Sequence, residues 1–108
     1  MRMMLKVSIP VENGNAAVLR GDLGPTIQKI LADLKPEAVY FSEEDGQRTG
    51  YVFFNMQNSS DIPAVSEPWF LAFNATLTLR PAMTPQDLAE AAPGFEHAIK
   101  SFGKTAGA

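Results

Sequence analysis

Cysteine is absent from the 108 residues, and histidine occurs once, as His97. The missing thiols exclude disulfides, thiolate nucleophiles and thiolate metal sites. Positive charge is also scarce: nine Lys and Arg stand against twelve Asp and Glu, for a net charge of −3. The basic residues are scattered from Arg2 to Lys104 and form no block, which argues against a nucleic-acid partner. No apolar run approaches the roughly 20 residues that span a bilayer, so no membrane association is expected. Met1 to Pro10 contains a basic residue but no long apolar centre, because Lys6 and Ser8 interrupt it, and no small-residue cleavage site follows. A cytoplasmic location is the expectation.

The chain has what an ordinary globular domain needs, with 45% hydrophobic and 19% charged residues. Surface scaling for a chain of this mass gives a folded surface of roughly 5,900 Å² against roughly 17,000 Å² when extended, enough burial for one core. A single domain over residues 1–108 is expected, with fraying from Gly103 to Ala108. No internal repeat or linker is visible.

The stretch from Ala38 to Met56 carries the strongest local signal. Two runs rich in aromatic and β-branched residues flank Asp45-Gly46, a pair suited to a tight turn with positive φ, and together they predict a β-hairpin. Before it, Leu5, Val7 and Ile9 alternate with Met4, Lys6 and Ser8, a half-buried strand. Glu12 to Asn15 predicts a turn leading into a short helical stretch over Ala16 to Leu19. Leu23, Ile27, Ile30, Leu31 and Leu34 then form one helical stripe, capped by Asp22 and stopped by Pro36.

After the hairpin, Ile62, Val65, Trp69, Ala72 and Phe73 fit a second main helix, with Pro68 expected to kink or split it. Ala75, Leu77 and Leu79 alternate with Thr76, Thr78 and Arg80 as a fourth strand. Thr84-Pro85-Gln86-Asp87 reads as a capping box. It precedes two short helices that should break at Pro93-Gly94. Strands are thus predicted near residues 3–11, 37–43, 48–57 and 75–80.

This order, β-α-β-β-α-β with a helical tail, is the ferredoxin-like pattern of an α+β antiparallel sheet. If Leu5, Val7, Ile9, Leu77 and Leu79 lie under the helices, then Lys6, Ser8, Thr76, Thr78 and Arg80 define a second face. Tyr40, Ser42, Tyr51, Phe53 and Asn55 can join that face, although both sides of the hairpin are apolar and its register stays open. Leu34 to Phe41 and Glu67 to Phe73, within this element order, give the chain a resemblance to the dimeric α+β barrel superfamily. It looks most like the small bacterial members that have no assigned activity. The superfamily also includes muconolactone isomerases and antibiotic-biosynthesis monooxygenases. The resemblance implies a homodimer in which two sheets meet face to face.

No motif spells out a reaction. Glu43-Glu44-Asp45 is a solvated hairpin tip without spaced partners, so no metal is expected. Gly21 to Pro25 lacks the Lys-Ser/Thr ending of a phosphate loop. His97 points away from the stripe of Phe95 and Ile99, a surface position. The haem-using members of the superfamily need a placed axial histidine, so no cofactor is expected. The candidate ligand contacts are Tyr40, Tyr51, Asn55, Trp69, Phe73 and Arg80. Trp69, Phe73 or the neighbouring Phe70 would cap a pocket, and Arg80 would hold a ligand carboxylate or a glutamate across an interface. The leading expectation is a homodimer that binds a small organic molecule inside the barrel. One alternative is a cofactor-free monooxygenase or isomerase acting on an aromatic or lactone substrate, with Tyr40, Tyr51 or Arg80 polarising an oxygen. A protein-interaction module without a ligand is the other.

Overall fold

A computed structural model describes residues 1–103. Four strands, β1 (Arg2–Ile9), β2 (Ala38–Glu44), β3 (Gln47–Asn55) and β4 (Thr76–Pro81), form one antiparallel sheet in the order β2-β3-β1-β4. Helices α1 (Val11–Arg20) and α2 (Leu23–Leu34) link β1 to β2, and α3 (Ile62–Phe73) links β3 to β4. This is the ferredoxin-like α+β arrangement with one extra helix in the first crossover. The predicted strands lie within two residues of the observed ones at every end. The expected fraying lies, from residue 104 onward, outside the described residues.

Alternation fixes the faces. Met3, Leu5, Val7 and Ile9 are buried, and Leu5 and Val7 stand opposite Val52 and Gly50 on β3. On β4, Leu79 and Leu77 stand opposite the same two residues of β1. Val52 and Phe54 therefore point under the helices, and Tyr51 and Phe53 point away. That settles the hairpin register, which composition leaves open because a one-residue slip would still bury an aromatic face. The turn is as expected, with Asp45 at φ 54° and Gly46 at φ 77°. The Gly46 amide donates to the Glu43 carboxylate at 3.0 Å.

The core joins these strand residues to Ala17 of α1 and to Val65, Trp69 and Phe73 of α3. Trp69 and Phe73 are tilted at 33° with ring centroids 6.4 Å apart, a favourable aromatic separation. The α2 stripe of Leu23, Ile27, Ile30, Leu31 and Leu34 packs on this core, but each residue is only partly buried.

Three local expectations need correction, and a fourth, that Pro68 kinks or splits α3, loses its second half. Helix α1 begins at Val11, taking in the segment expected to turn, because Gly14 lets a side chain of β3 lie against the helix: a Cβ there would stand 2.6 Å from the Arg48 guanidinium. Asp22 occupies the N-cap position of α2 without a side-chain cap bond, its carboxylate being paired with Arg20 at 3.1 Å. Pro68 does not split α3. It removes one intrahelical donor, while buried Val65, Trp69 and Phe73 hold the inner face in place. Finally, the tail breaks at Ala91, between α4 (Pro85–Glu90) and α5 (Ala92–Phe102), so that Pro93 falls in the first turn of α5, where its missing N–H costs nothing. The Thr84–Asp87 capping box forms reciprocally, at 2.9 and 3.1 Å.

Helices α4 and α5 do not fold back onto the sheet. Leu88, Phe95, Ile99 and Phe102 are all exposed. The molecule measures 62 × 29 × 22 Å with a radius of gyration of 18.5 Å, against about 13 Å for a compact chain of this length.

Candidate functional site

Helices α1 to α3 cover one side of the sheet, and the cover is incomplete near the hairpin. A cavity of about 400 Å³ opens there, between the first turns of α2 and the sheet, within the range of roughly 300–1,000 Å³ common for small-molecule sites. Val7, Ile9, Leu23, Ile27, Phe41 and Trp69 give it apolar walls. Three glycine-sized gaps shape it. Gly50 lies against the Phe41 ring, where a Cβ would come within 3.3 Å. Gly24 faces open space, with nothing within 4 Å of where its Cβ would be. Gly14, one layer behind, leaves room for Arg48.

The polar groups in this lining are Gln28, Ser42, Arg48 and Thr49. Arg48 donates to the Asn15 side chain at 3.1 Å, and no carboxylate among the described residues pairs with it. Its cross-strand neighbour Glu43 is turned to the hairpin amide instead. Trp69 is 2% exposed, and its indole Nε1 is buried beneath the cavity wall without an acceptor. The lining holds no carboxylate and no histidine.

The opposite face carries a different constellation. Tyr40 and Tyr51 are cross-strand neighbours, and Tyr51 stands opposite Lys6 on β1. Glu44, at the end of β2, accepts from both the Lys6 ammonium and the Tyr51 hydroxyl. Lys6 first, and Tyr51 second, hold the Glu44 carboxyl below its usual range, while Glu44 raises the Tyr51 phenol. Ser8 adds a hydrogen bond to Gln47 at 2.7 Å. At the far end, Arg2 pairs with Glu37, and Asn55 accepts from the terminal amine of Met1 at 2.7 Å. The Tyr51 hydroxyl is thus committed to a carboxylate rather than free to polarise a substrate oxygen.

The sign of the pH response follows. A depressed carboxyl contributes stability above its unfolded-state pKa and loses that contribution as pH falls through the folded value. Glu44→Gln is expected to lower the urea midpoint at pH 6 to 7, with wild type and variant converging below the ordinary carboxylate range. A constant gap down to pH 2 would show that ionisation of Glu44 is irrelevant.

The six residues singled out in the sequence therefore do not form one site. Tyr40, Tyr51, Asn55 and Arg80 belong to the open face. Trp69 lines the cavity on the helix side, and Phe73 packs behind it in the core. Arg48, Phe41, Gln28 and Ile27 were missed. Arg48 sits at a hairpin position that reads as an ordinary solvated charge. Only the unexplained Gly14 in an otherwise helical stretch hints that something approaches α1 closely. His97 is exposed on α5, as expected. No cluster of three potential metal ligands occurs among the described residues, and none of their helices is long and apolar enough to cross a membrane.

No protein-family model matches the chain, nor does any curated protein sequence. Several solved structures are similar to it in part. A formyltetrahydrofolate deformylase from Pseudomonas putida KT2440 superposes with a TM-score of 0.49 at 12% identity over 76% of this chain, which spans only 29% of that enzyme's length. A provisionally assigned antibiotic biosynthesis monooxygenase from Deinococcus radiodurans gives 0.40 at 18% identity, covering 78% of this chain and 94% of its own. The de novo designed protein Ferredog-Diesel gives 0.45 at 9% identity over 75% and 85% of the two chains.

Proposed function

We propose that this protein is a homodimer of the dimeric α+β barrel type that binds a small organic molecule. The binding site in this reading is the cavity under α2 rather than the space between two sheets. The observation that carries the binding reading is that cavity: preformed, apolar-walled and edged by a few polar donors. A binding role is favoured over acid–base chemistry because the lining side chains include no carboxylate and no histidine.

The homodimer rests on unsatisfied surface. The accessible area is 7442 Å², whereas a compact monomer of this mass exposes roughly 5,900 Å². The excess of roughly 1,500 Å² per chain is about what an obligate homodimer interface buries. Exposed apolar side chains lie on the open sheet face, at Tyr40, and along α4 and α5, at Leu88, Phe95, Ile99 and Phe102. Two-fold pairing covers both copies of such a patch at once.

Plugging the cavity tests the binding role. Gly24 has room for a side chain, so Gly24→Phe is expected to fold normally and fill the site. Native mass spectrometry of gently purified wild type should show a retained or readily taken-up molecule of a few hundred daltons, and the Gly24→Phe protein should show none. Equal adducts on both proteins would place the ligand elsewhere, and none on either would remove the binding role.

A further inference from the structure

We propose that the α4–α5 arm of each subunit lies across the other, with the Phe95, Ile99 and Phe102 stripe of α5 seated in the groove between the partner's α2 and α3. This rests on the homodimer reading and specifies where its arms go. Sheet-to-sheet pairing alone leaves that stripe wet, because α4 and α5 stand off the sheet and place no residue in the core. Phe95 is 58% exposed, Ile99 69% and Phe102 78%. Their spacing of four and three residues puts all three on one side of the helix. A contiguous apolar strip of this kind calls for a cover.

The helical layer offers one. A groove of about 380 Å³ runs between the second half of α2 and the first half of α3. Ile30, Leu34, Ala64, Val65 and Pro68 line it, and Ile30, Leu34 and Pro68 are only half-buried. Lys29, Asp33 and Asp61 stand along its rim, and α5 carries Glu96 and Lys100 beside its stripe. None of these five forms a salt bridge among the described residues. Each surface is thus an apolar strip edged by charges of both signs, and the two match in charge as well as in polarity.

Topology decides whose arm reaches the groove. The Ala82 amide donates to the Arg2 carbonyl at 3.0 Å and Thr84 is held in its capping box, so the arm leaves β4 at the Arg2 end of the sheet. Glu37, just past α2, pairs with Arg2, so the last turn of α2, which borders the groove through Leu34, reaches the same end. Within one subunit β4 and β2 are opposite edges of the sheet, and the arm extends outward to give the molecule its 62 Å length. When two sheets meet about a two-fold axis along the strands, the β4 edge of one copy lies beside the β2 edge of the other, with their Arg2 ends together. The partner's α2 leads into that β2 edge. From one sheet to the partner's helical layer is roughly 20 Å, two layer spacings. Helices α4 and α5 together extend roughly 25 Å.

The chain lacks cysteine, so an introduced pair reports without background. Ala64→Cys puts a thiol on the groove wall and Ala98→Cys puts one beside the α5 stripe, both at exposed positions. Oxidation of the full-length double variant with diamide is expected to give a covalent dimer on a non-reducing gel, reversed by dithiothreitol and absent from either single variant. Ala64→Glu, which charges the groove without touching the core, should raise the dimer dissociation constant at least tenfold in sedimentation. Ile99→Glu should do the same from the arm. A disulfide closed within one chain would overturn the proposal and put the arm on its own subunit. A covalent dimer of Ala98→Cys alone would overturn it by pairing arm with arm. A double variant that sediments as a dimer without cross-linking would also overturn it and leave the homodimer standing, as would an undiminished dimer of Ala64→Glu. A monomeric wild type would remove both readings.

Discussion

Phe54→Ala is expected to lower the unfolding free energy by about 3–5 kcal/mol, a large part of the stability of a domain this size. Phe54 is 1% exposed and lies on the helix side of β3 beside Val52, within the cluster that contains Trp69 and Phe73. Truncating it removes an aromatic ring from the middle of a packed layer, and the sheet backbone on one side cannot move in to fill the space. The neighbouring residue provides the control. Phe53 is on the other face, opposite Met4 and Ala38, so Phe53→Ala should cost far less within one subunit. Urea unfolding at protein concentrations high enough to keep any dimer intact gives both values. Similar costs for the two phenylalanines would mean that the hairpin register is wrong.

Phe53→Glu is expected to have the largest effect on assembly. It places a carboxylate near the middle of the open face, once in each subunit, so two-fold pairing would bury two like charges without partners. A central interface residue of this kind contributes about 2–4 kcal/mol, which corresponds to a dissociation constant raised by roughly 30- to 1,000-fold. The variant should be a folded monomer, because the helix-side core is untouched. Removing the arm by ending the chain after Ala82 should also weaken the dimer. The sheet and its core should survive that truncation, since α4 and α5 place no residue in the core.

Much of the fold was legible because the local signals agree with one another. Strict alternation in β1 and β4, the Asp45-Gly46 turn and the five-residue stripe of α2 all reflect short-range geometry that the sequence writes out directly. The errors came where a tertiary contact overrides a local preference. Gly14 looks like a turn residue until Arg48 of a strand more than thirty residues away is found resting on it. Asp22 looks like a cap until Arg20 claims its carboxylate. The site was less legible for a similar reason. Both faces of the hairpin are aromatic, so composition drew attention to Tyr40 and Tyr51. The cavity, in contrast, is made by what is small or missing beside the first turns of α2, and a gap leaves no mark in hydrophobic periodicity. Trp69 was conspicuous as the single tryptophan. Arg48, which also lines the cavity, was one of nine ordinary cations in the sequence.

The claim on which the whole account turns is that a sheet with helices on one face and an unmatched aromatic and polar surface on the other is completed by a second copy of itself. Sedimentation equilibrium of the wild type at about 5 µM, at neutral pH and moderate salt, tests it most directly. The expected result is a single species of twice 11.7 kDa, shifted to the monomer mass in Phe53→Glu. A clean wild-type monomer at that concentration would contradict the barrel arrangement, and the projecting α4–α5 arm would then require a different explanation.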